Sequence, residues 1–176
     1  AGKLYVPRPT FNSQEGAFHC LDLATGRLVW SADIGGRYIW ERAAPVAAAG
    51  KVAFGSSKKG AGPGTLVQAW DAATGKSLST LAGHERWVTS AQFSPDGTRV
   101  LTGSDNTARI WSTATGQPLG EPLRLEGTVN AVAFSPDGTR IVTGNFLGEA
   151  IVWDAKTGSK LLTLKGHSGG VHSVAF

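Results

Sequence analysis

The sequence contains no methionine and only one cysteine, Cys20, among its 176 residues. A single thiol cannot form an internal disulfide, nor can it supply the cluster of thiolates that a zinc finger or an iron-sulfur centre needs. The sequence also lacks any run of 18 apolar residues, so we expect no membrane-spanning segment. Because methionine is missing altogether, we expect that Ala1 is not the first residue of the gene.

Charge is also sparse. The chain has 17 Lys and Arg against 13 Asp and Glu, a formal charge of +4, and only 17% of its residues are charged. A nucleic-acid interface needs a dense basic stripe, so we expect no nucleic-acid partner. Glycine, in contrast, is abundant with 24 residues, and hydrophobic residues make up 41%, including six tryptophans. This composition predicts a folded chain with many turns and a packed core.

Short phrases recur along the chain at nearly constant spacing, which is typical of a repeat protein. Thr-Gly pairs stand at residues 25–26, 74–75, 115–116 and 157–158, and the last three are 41 and 42 residues apart. Trp70, Trp111 and Trp153 keep the same intervals, and Ser-Pro-Asp-Gly occurs at 94–97 and again at 135–138. The sequence therefore consists of units of about 40 residues.

Each unit contains four short strands rather than helices. Residues 88–93 and 129–134 are apolar or alternating runs that end at Ser-Pro-Asp-Gly, where proline and glycine favour a tight turn. Three further strands follow in each unit and are joined by short turns. Four antiparallel strands per unit predict an all-β fold, a β-propeller built of four-stranded blades.

These phrases carry a family resemblance. Residues 66–176 resemble the WD-repeat β-propellers through Gly83-His84, Trp111, Trp153-Asp154 and Gly166-His167, which occur in register with the Ser-Pro-Asp-Gly turns. Residues 17–30 instead resemble the tryptophan-docking repeat of quinoprotein-type propellers, with Cys20 in its alanine position. In that family the tryptophan, here Trp30, packs between neighbouring blades. Both families are propellers, so both resemblances imply the same fold.

The boundaries of the repeats predict a single domain, residues 1–176, with four blades. Blade one covers residues 3–34, blade two 45–81, blade three 87–125 and blade four 129–164. Blade one begins without its innermost strand, whereas residues 171–176 add one more innermost strand at the other end. We therefore expect residues 171–176 to complete a first blade.

Three kinds of closure are compatible with this count. Two chains, joined head to tail, would form an eight-bladed ring in which the last strand of each completes the first blade of the other. A four-bladed monomer would close on itself, or the chain is an excerpt of a longer propeller. Five residues are predicted to form the closing contact, namely Val171, Val174, Phe176, Leu4 and Val6.

Four polar or aromatic residues of blade three match the buried tetrad of WD repeats, namely His84, Thr102, Asp105 and Trp111. By residue type alone, Thr102, His84 and Asp105 could also be a catalytic Thr/His/Asp triad. The resemblance implies a structural role instead, because the family tetrad is an internal hydrogen-bonded chain. Blade four keeps only Thr143 and Trp153 of this set.

No other residues suggest chemistry. His19 and Cys20 are neighbours on a strand and point to opposite faces, so they cannot form a nucleophile and base pair. The aspartates recur at turns, and residues that repeat in every unit indicate architecture. We therefore expect no catalytic residue, no metal site and no cofactor, although a quinone-binding, quinoprotein-like propeller is the alternative from another class.

The remaining role is recognition of a partner. In WD-repeat proteins, residues at the start of the innermost strands and the residue before the tetrad aspartate lie on the upper rim of the ring, where partners dock. Carried over to this chain, the possible binding face contains Trp87, Thr89, Ser104, Asn130 and His172. The sequence therefore predicts a non-catalytic scaffold that binds itself and a protein or peptide, with a cytoplasmic location favoured. A fragment of a longer WD-repeat protein, such as one attached to a signalling enzyme, and an engineered half-propeller are the alternatives.

Overall fold

The computed structural model describes residues 2–8, 16–34, 37–38, 44–58 and 65–176. Within these residues the chain is all-β, with four antiparallel sheets and no helix. No helix long and apolar enough to cross a membrane occurs in the part that the structure describes. The predicted fold, a propeller of successive four-stranded blades, is confirmed, and each sheet corresponds to one blade.

The first two sheets differ in size. Blade one has three strands, in the order β1-β2-β3: β1 (Lys3–Arg8), β2 (Ala17–Asp22) and β3 (Leu28–Asp33). Blade two has five: β4 (Arg37–Tyr38), β5 (Val46–Ala48), β6 (Lys51–Lys58), β7 (Thr65–Asp71) and β8 (Ser77–His84). Both β4 and β5 pair with β6, so the innermost strand of blade two is present in two pieces.

The last two sheets have four strands each. Blade three contains β9 (Ser90–Phe93), β10 (Arg99–Ser104), β11 (Thr107–Ser112) and β12 (Leu123–Arg124). Blade four contains β13 (Val129–Phe134), β14 (Arg140–Asn145), β15 (Ala150–Asp154) and β16 (Lys160–Leu164). In both blades each strand pairs with the next one along the chain, from the innermost to the outermost.

The outermost strand of blade three is much shorter than expected. The sequence predicts a strand through residues 119–125, but only Leu123–Arg124 forms β12, beside an isolated bridge between Trp111 and Pro118. Two prolines remove backbone donors here, and Gly120 has a positive φ of 78°. The strand is therefore interrupted by its own residues.

Neighbouring blades pack face to face, and each contact has its own hydrophobic cluster. Blades one and two share Phe18, Trp30, Phe54 and Trp70, among others. Leu81 and Trp111 belong to the cluster between blades two and three, and blades three and four share a cluster containing Leu101, Ile141 and Trp153. The core is thus a series of interfaces between successive blades, as in a solenoid.

Residues 171–176, which the sequence predicts as a strand, form no ladder with any strand that the structure describes. They lie against blade four of their own chain, where the N–H of Val171 donates to the carbonyl of Asn145 at 2.9 Å. Val174 packs on the small cluster of Ala133, Val142 and Ala150. The reason is that no described strand is available beside this segment. Residues 171–176 therefore lie on blade four without forming a strand ladder.

Candidate functional site

The predicted tetrad is built where blades two and three meet. His84 is the last residue of β8, Thr102 lies on β10 and Trp111 on β11, and all three are buried. The Trp111 indole N–H donates to the Thr102 hydroxyl at 2.7 Å, and that hydroxyl lies 2.6 Å from His84 Nε2. His84, on the outermost strand of blade two, is therefore hydrogen-bonded to Thr102 on a central strand of blade three.

The fourth member, Asp105, lies apart from this chain of hydrogen bonds. Its carboxylate pairs with Arg86 at 3.4 Å on the protein surface, and Nδ1 of His84 has no hydrogen-bond partner in the described part of the chain. Burial, and secondarily the charge of Arg109, lowers the pKa of His84 to about 4. The imidazole is thus neutral at neutral pH but only weakly basic, and both its low pKa and its burial favour a structural role.

Blade four keeps a shortened version of the same chain. The Trp153 indole donates to the Thr143 hydroxyl at 2.9 Å, and Leu125 is buried in the cluster that surrounds them. Asn145 is fully buried and bonds the carbonyl of Glu126 at 2.8 Å, just as Ser104 bonds the loop before blade three. Counted from Thr143, Phe146 stands at the position of Asp105, and the turn after Asn145 is one residue longer than the equivalent turn of blade three.

The aspartates of the repeat bind their own turns. The carboxylates of Asp22, Asp71 and Asp154 each accept hydrogen bonds from the threonine three residues later, which lowers their pKa values. Hydroxyls of Ser94 and Ser135 donate to Asp96 and Asp137 at 2.5 and 2.6 Å and, with backbone bonds, hold their pKa at about 2. Carboxylates of this kind are already committed to turns and are poorly suited to proton transfer.

The five residues predicted to form the binding face divide into two groups. Ser104 is buried, and its hydroxyl donates to the backbone carbonyls of Arg86 and Trp87. Thr89 bonds the carbonyls of Gly103 and Val129, and Asn130 donates to the carbonyl of Val171 at 3.3 Å. These three residues therefore connect strands and neighbouring blades.

Trp87 and His172 are the exposed members of that face. Trp87 exposes 59% of its surface at the start of the innermost strand of blade three. Two exposed apolar residues that the sequence did not single out, Phe146 and Leu147, lie in the turn between β14 and β15. Two sequence features indicate them. This turn is one residue longer than in blade three, and it has Phe146 and Leu147 at the positions of Asp105 and Asn106.

No group of three or more metal-binding side chains occurs among the residues that the structure describes. Cys20 is buried between blades one and two, and burial raises the pKa of its thiol. The charged side chains at the cleft between blades three and four include the ion pair of Lys165 with Glu149 at 2.7 Å.

Comparison with known proteins agrees with this geometry. The family model "WD domain, G-beta repeat" matches residues 75–112 and 120–154, which are parts of blades two to four. The chain is similar to the nuclear distribution protein PAC1 of the fungi Arthroderma benhamiae and Trichophyton verrucosum, with 42% identity over 66 residues in each case. That alignment covers 37% of this chain and only 14% of each relative.

Two designed proteins of known structure share the fold. The computationally designed Ika4 protein is 30% identical with a TM-score of 0.65, and the match covers 77% of this chain and 78% of Ika4. The computationally designed Ika8 protein is 25% identical with a TM-score of 0.73. In the second case the match covers 95% of this chain but 51% of Ika8.

Proposed function

Because residues 75–112 and 120–154 of this β-propeller match the WD40 repeat, we propose that two copies of the chain close into an eight-bladed ring, and that this ring is a non-catalytic scaffold for binding a protein or peptide. The observation that carries the proposal is the pair of incomplete ends. β1 pairs only with β2 in the described part of the chain, so blade one has no innermost strand. At the other end, residues 171–176 lie on blade four without a partner strand.

The terminal segment occupies the position of an innermost strand. A Cβ placed on Gly103 of blade three would lie 2.8 Å from Val129, the first residue of the next innermost strand. In the same way, a Cβ on Gly144 of blade four would lie 2.6 Å from Val171. Val171 thus follows blade four as Val129 follows blade three, which supports reading residues 171–176 as the first strand of a further blade.

Apolar side chains are exposed at both ends of the row of blades. Leu4 and Leu28 lie opposite Leu21 on the face of blade one that points away from blade two. On blade four, Leu162 and Leu164 are about half exposed on the face opposite Trp153. Head-to-tail closure would bury one of these faces against the other, which gives the second copy a hydrophobic reason to bind.

The comparison with Ika8 gives independent support. Nearly the whole of this chain, 95%, matches about half of that longer designed chain, 51%. The match to Ika8 covers more of this chain, and its TM-score of 0.73 is higher than the 0.65 of the match to Ika4, a chain of similar length. The better match to the longer protein supports a ring of two copies over closure of four blades alone.

The binding half of the proposal rests on the upper rim. Trp87 is an exposed aromatic side chain beside the Arg86–Asp105 ion pair, and tryptophan and arginine are the residues most enriched where binding energy concentrates. The carboxylates that recur in the blades are engaged in turns. A rim that recognises a partner, on a body that performs no reaction, accounts for both observations.

Closure can be tested by cross-linking, because the repeat fixes its register. In blade four, Val132 lies opposite Thr143, and the equivalent residues of the closing blade are Val174 and Val6. In a Cys20→Ala background, we expect Val6→Cys combined with Val174→Cys to form disulfides between chains. Oxidised protein should then migrate at twice the chain mass in a denaturing gel without reductant.

The control moves one cysteine by a single residue. Val6→Cys with Ala175→Cys points the two thiols to opposite faces of the sheet and should cross-link poorly. A disulfide within one chain would instead indicate a closed four-bladed monomer. A monomeric wild-type protein, together with a double-cysteine variant that forms no cross-link, would contradict the proposed ring and favour an excerpt of a longer propeller.

Partner binding is tested with Trp87→Ala. Peptides selected from a random display library on the wild-type protein are expected to bind this variant at least about tenfold more weakly, because an aromatic anchor is lost. Leu78→Ala, which removes an exposed apolar side chain from the outer strand β8, serves as the control. Equal binding of the selected peptides to both variants would contradict the role of Trp87.

A further inference from the structure

Each blade follows its third strand with a Thr-Gly turn, and in blades two to four the preceding blade contacts the glycine. A Cβ on Gly75 would lie 2.6 Å from the Trp30 ring, and one on Gly158 would lie 3.2 Å from Leu123. A Cβ on Gly116 would lie 2.6 Å from the carbonyl oxygen of Thr80. The contacting residues come from the outermost strands β3, β8 and β12. The preceding blade therefore packs on the Thr-Gly turn of blades two to four, and we call this contact region the docking seat of a blade.

A hydrogen bond accompanies two of these contacts. The Trp30 indole donates to the carbonyl of Ala72 at 3.1 Å, and the Ser79 hydroxyl donates to the carbonyl of Thr113 at 2.9 Å. Trp30 and Ser79 each stand four residues after their own Thr-Gly glycine. Each of the two acceptors directly follows the residue that ends the third strand of its blade. One position on the outer strand thus binds one carbonyl on the next blade.

Blade one has the same seat, and nothing described occupies it. Gly26 has a φ of 67°, close to that of its equivalents, but apart from its two chain neighbours no described residue has an atom within 4 Å of a Cβ placed on it. Leu23, which supplies the equivalent carbonyl, exposes 63% of its surface. The seat of blade one, defined as Leu23 and Gly26, is therefore formed but vacant.

Blade four carries the matching side chain. Leu162 stands four residues after Gly158 and lies opposite Val152, just as Trp30 lies opposite Cys20 and Ser79 opposite Ala69. Trp30 is buried with 8% exposed, whereas Leu162 is 51% exposed. Blade one thus has a docking seat on which no described residue packs. Blade four has the matching side chain, Leu162, but no described blade for it to pack on.

Resting on the proposed two-chain ring, we infer that Leu162 of each copy docks on the Leu23–Gly26 seat of the other. Both halves of the contact belong to this one chain and lie on its first and last blades, so the occupant that we infer in the two-chain ring is a second copy. The two-fold ring contains the contact twice, because the interface is head to tail. Leu162 therefore belongs to the closing surface together with residues 171–176.

The neighbouring Leu161 provides a matched control. It is 55% exposed and stands where Leu78 stands on β8 of blade two. Leu78 remains 39% exposed although blade two is packed against a blade on both sides. A residue at this position is therefore expected to stay exposed in the closed ring as well.

Leu162→Trp should strengthen the ring. The indole can stack on Gly26 and donate to the carbonyl of Leu23, as Trp30 does on blade two, and each ring gains this twice. We expect the dissociation constant of the dimer, measured by analytical ultracentrifugation, to fall at least about tenfold. Leu161→Trp should leave it within about threefold of the wild type.

Charge at either half of the contact should open the ring. Leu162→Asp and Leu23→Asp are each expected to raise the dissociation constant at least about a hundredfold, because the carboxylate would be buried in both copies of the contact. Both side chains are exposed in the single chain, so circular dichroism should show folded monomers.

The outcomes separate this inference from the proposed ring. A wild-type protein that stays monomeric would overturn both. A wild-type dimer whose dissociation constant is unchanged by Leu162→Trp and Leu162→Asp would overturn the docking contact and leave the ring standing. The same holds if Leu161→Trp tightens the dimer as much as Leu162→Trp does.

Discussion

Deletion of residues 171–176 is expected to halve the mass of the protein in solution. In the proposed ring the segment supplies the strand that blade one lacks, so its loss would leave the inner edge of β1 in the other copy without a partner strand and the ring open. Blade four should also lose about 3 kcal/mol of stability, because Val171 and Val174 no longer cover it. Light scattering and urea unfolding measure the two effects separately.

A proline distinguishes strand exchange from simple covering of blade four. The N–H groups of Val132 and Phe134 donate to the side chains of Ser90 and Gln92 in blade three. The N–H of Ala133, which lies between them, therefore points to β14. Ala175 is the equivalent of Ala133, and its N–H should point to β1 of the second copy. Ala175→Pro removes this donor but leaves Val171 and Val174 in place.

This variant is therefore expected to be a monomer whose blade four is as stable as in the wild type. Ala175→Ser, which keeps the N–H, is the control and should remain dimeric. If Ala175→Pro forms dimers with the wild-type dissociation constant, residues 171–176 do not pair with β1. In that case the deletion would act only through the apolar contacts on blade four.

Trp30→Ala is expected to cost about 3–5 kcal/mol of stability, the range found for large aromatic residues removed from a core. Its ring lies 5.9 Å from Phe18 and 6.0 Å from Tyr5 between ring centres, and it covers Gly75. The hydrogen bond to the carbonyl of Ala72 is lost with it. Because Trp30 connects blade one to blade two, blade one should unfold first.

The neighbouring residue on β3 serves as the control for this prediction. Val29 is 41% exposed, and Val29→Ala should change the free energy of unfolding by no more than about 0.5 kcal/mol. Hydrogen exchange of the β2 amides should accelerate in Trp30→Ala and stay unchanged in Val29→Ala. A loss below about 1 kcal/mol for Trp30→Ala would show that blade one is held by its other contacts.

Those parts of the molecule that repeat with the same residues were predictable from the sequence. Blade four has all four expected strands, and the bonds of Thr102 with Trp111 and His84 follow the resemblance closely. Trp30 packs between blades, as its docking repeat implies. In each case a strong local pattern and a packing requirement act in the same direction.

The differences occur where contacts depend on geometry more than on residue type. Asp105 turns to Arg86 instead of His84, a choice between two partners that no spacing reveals. The docking position was not predicted, because it holds tryptophan on blade one, serine on blade two and leucine on blade four. Only the pairing register of the strands shows that these three side chains stand at equivalent positions of their blades.

The position of Trp87 has a consequence for how tightly the ring would hold its partners. A two-fold axis along the centre of the ring leaves both copies of Trp87 on the same face, on opposite sides of the channel. A partner with two recognition segments on one flexible chain would bind both sites, and the second would bind at a high effective concentration. Weak single contacts would then give a long-lived complex, and a partner with only one segment would exchange rapidly.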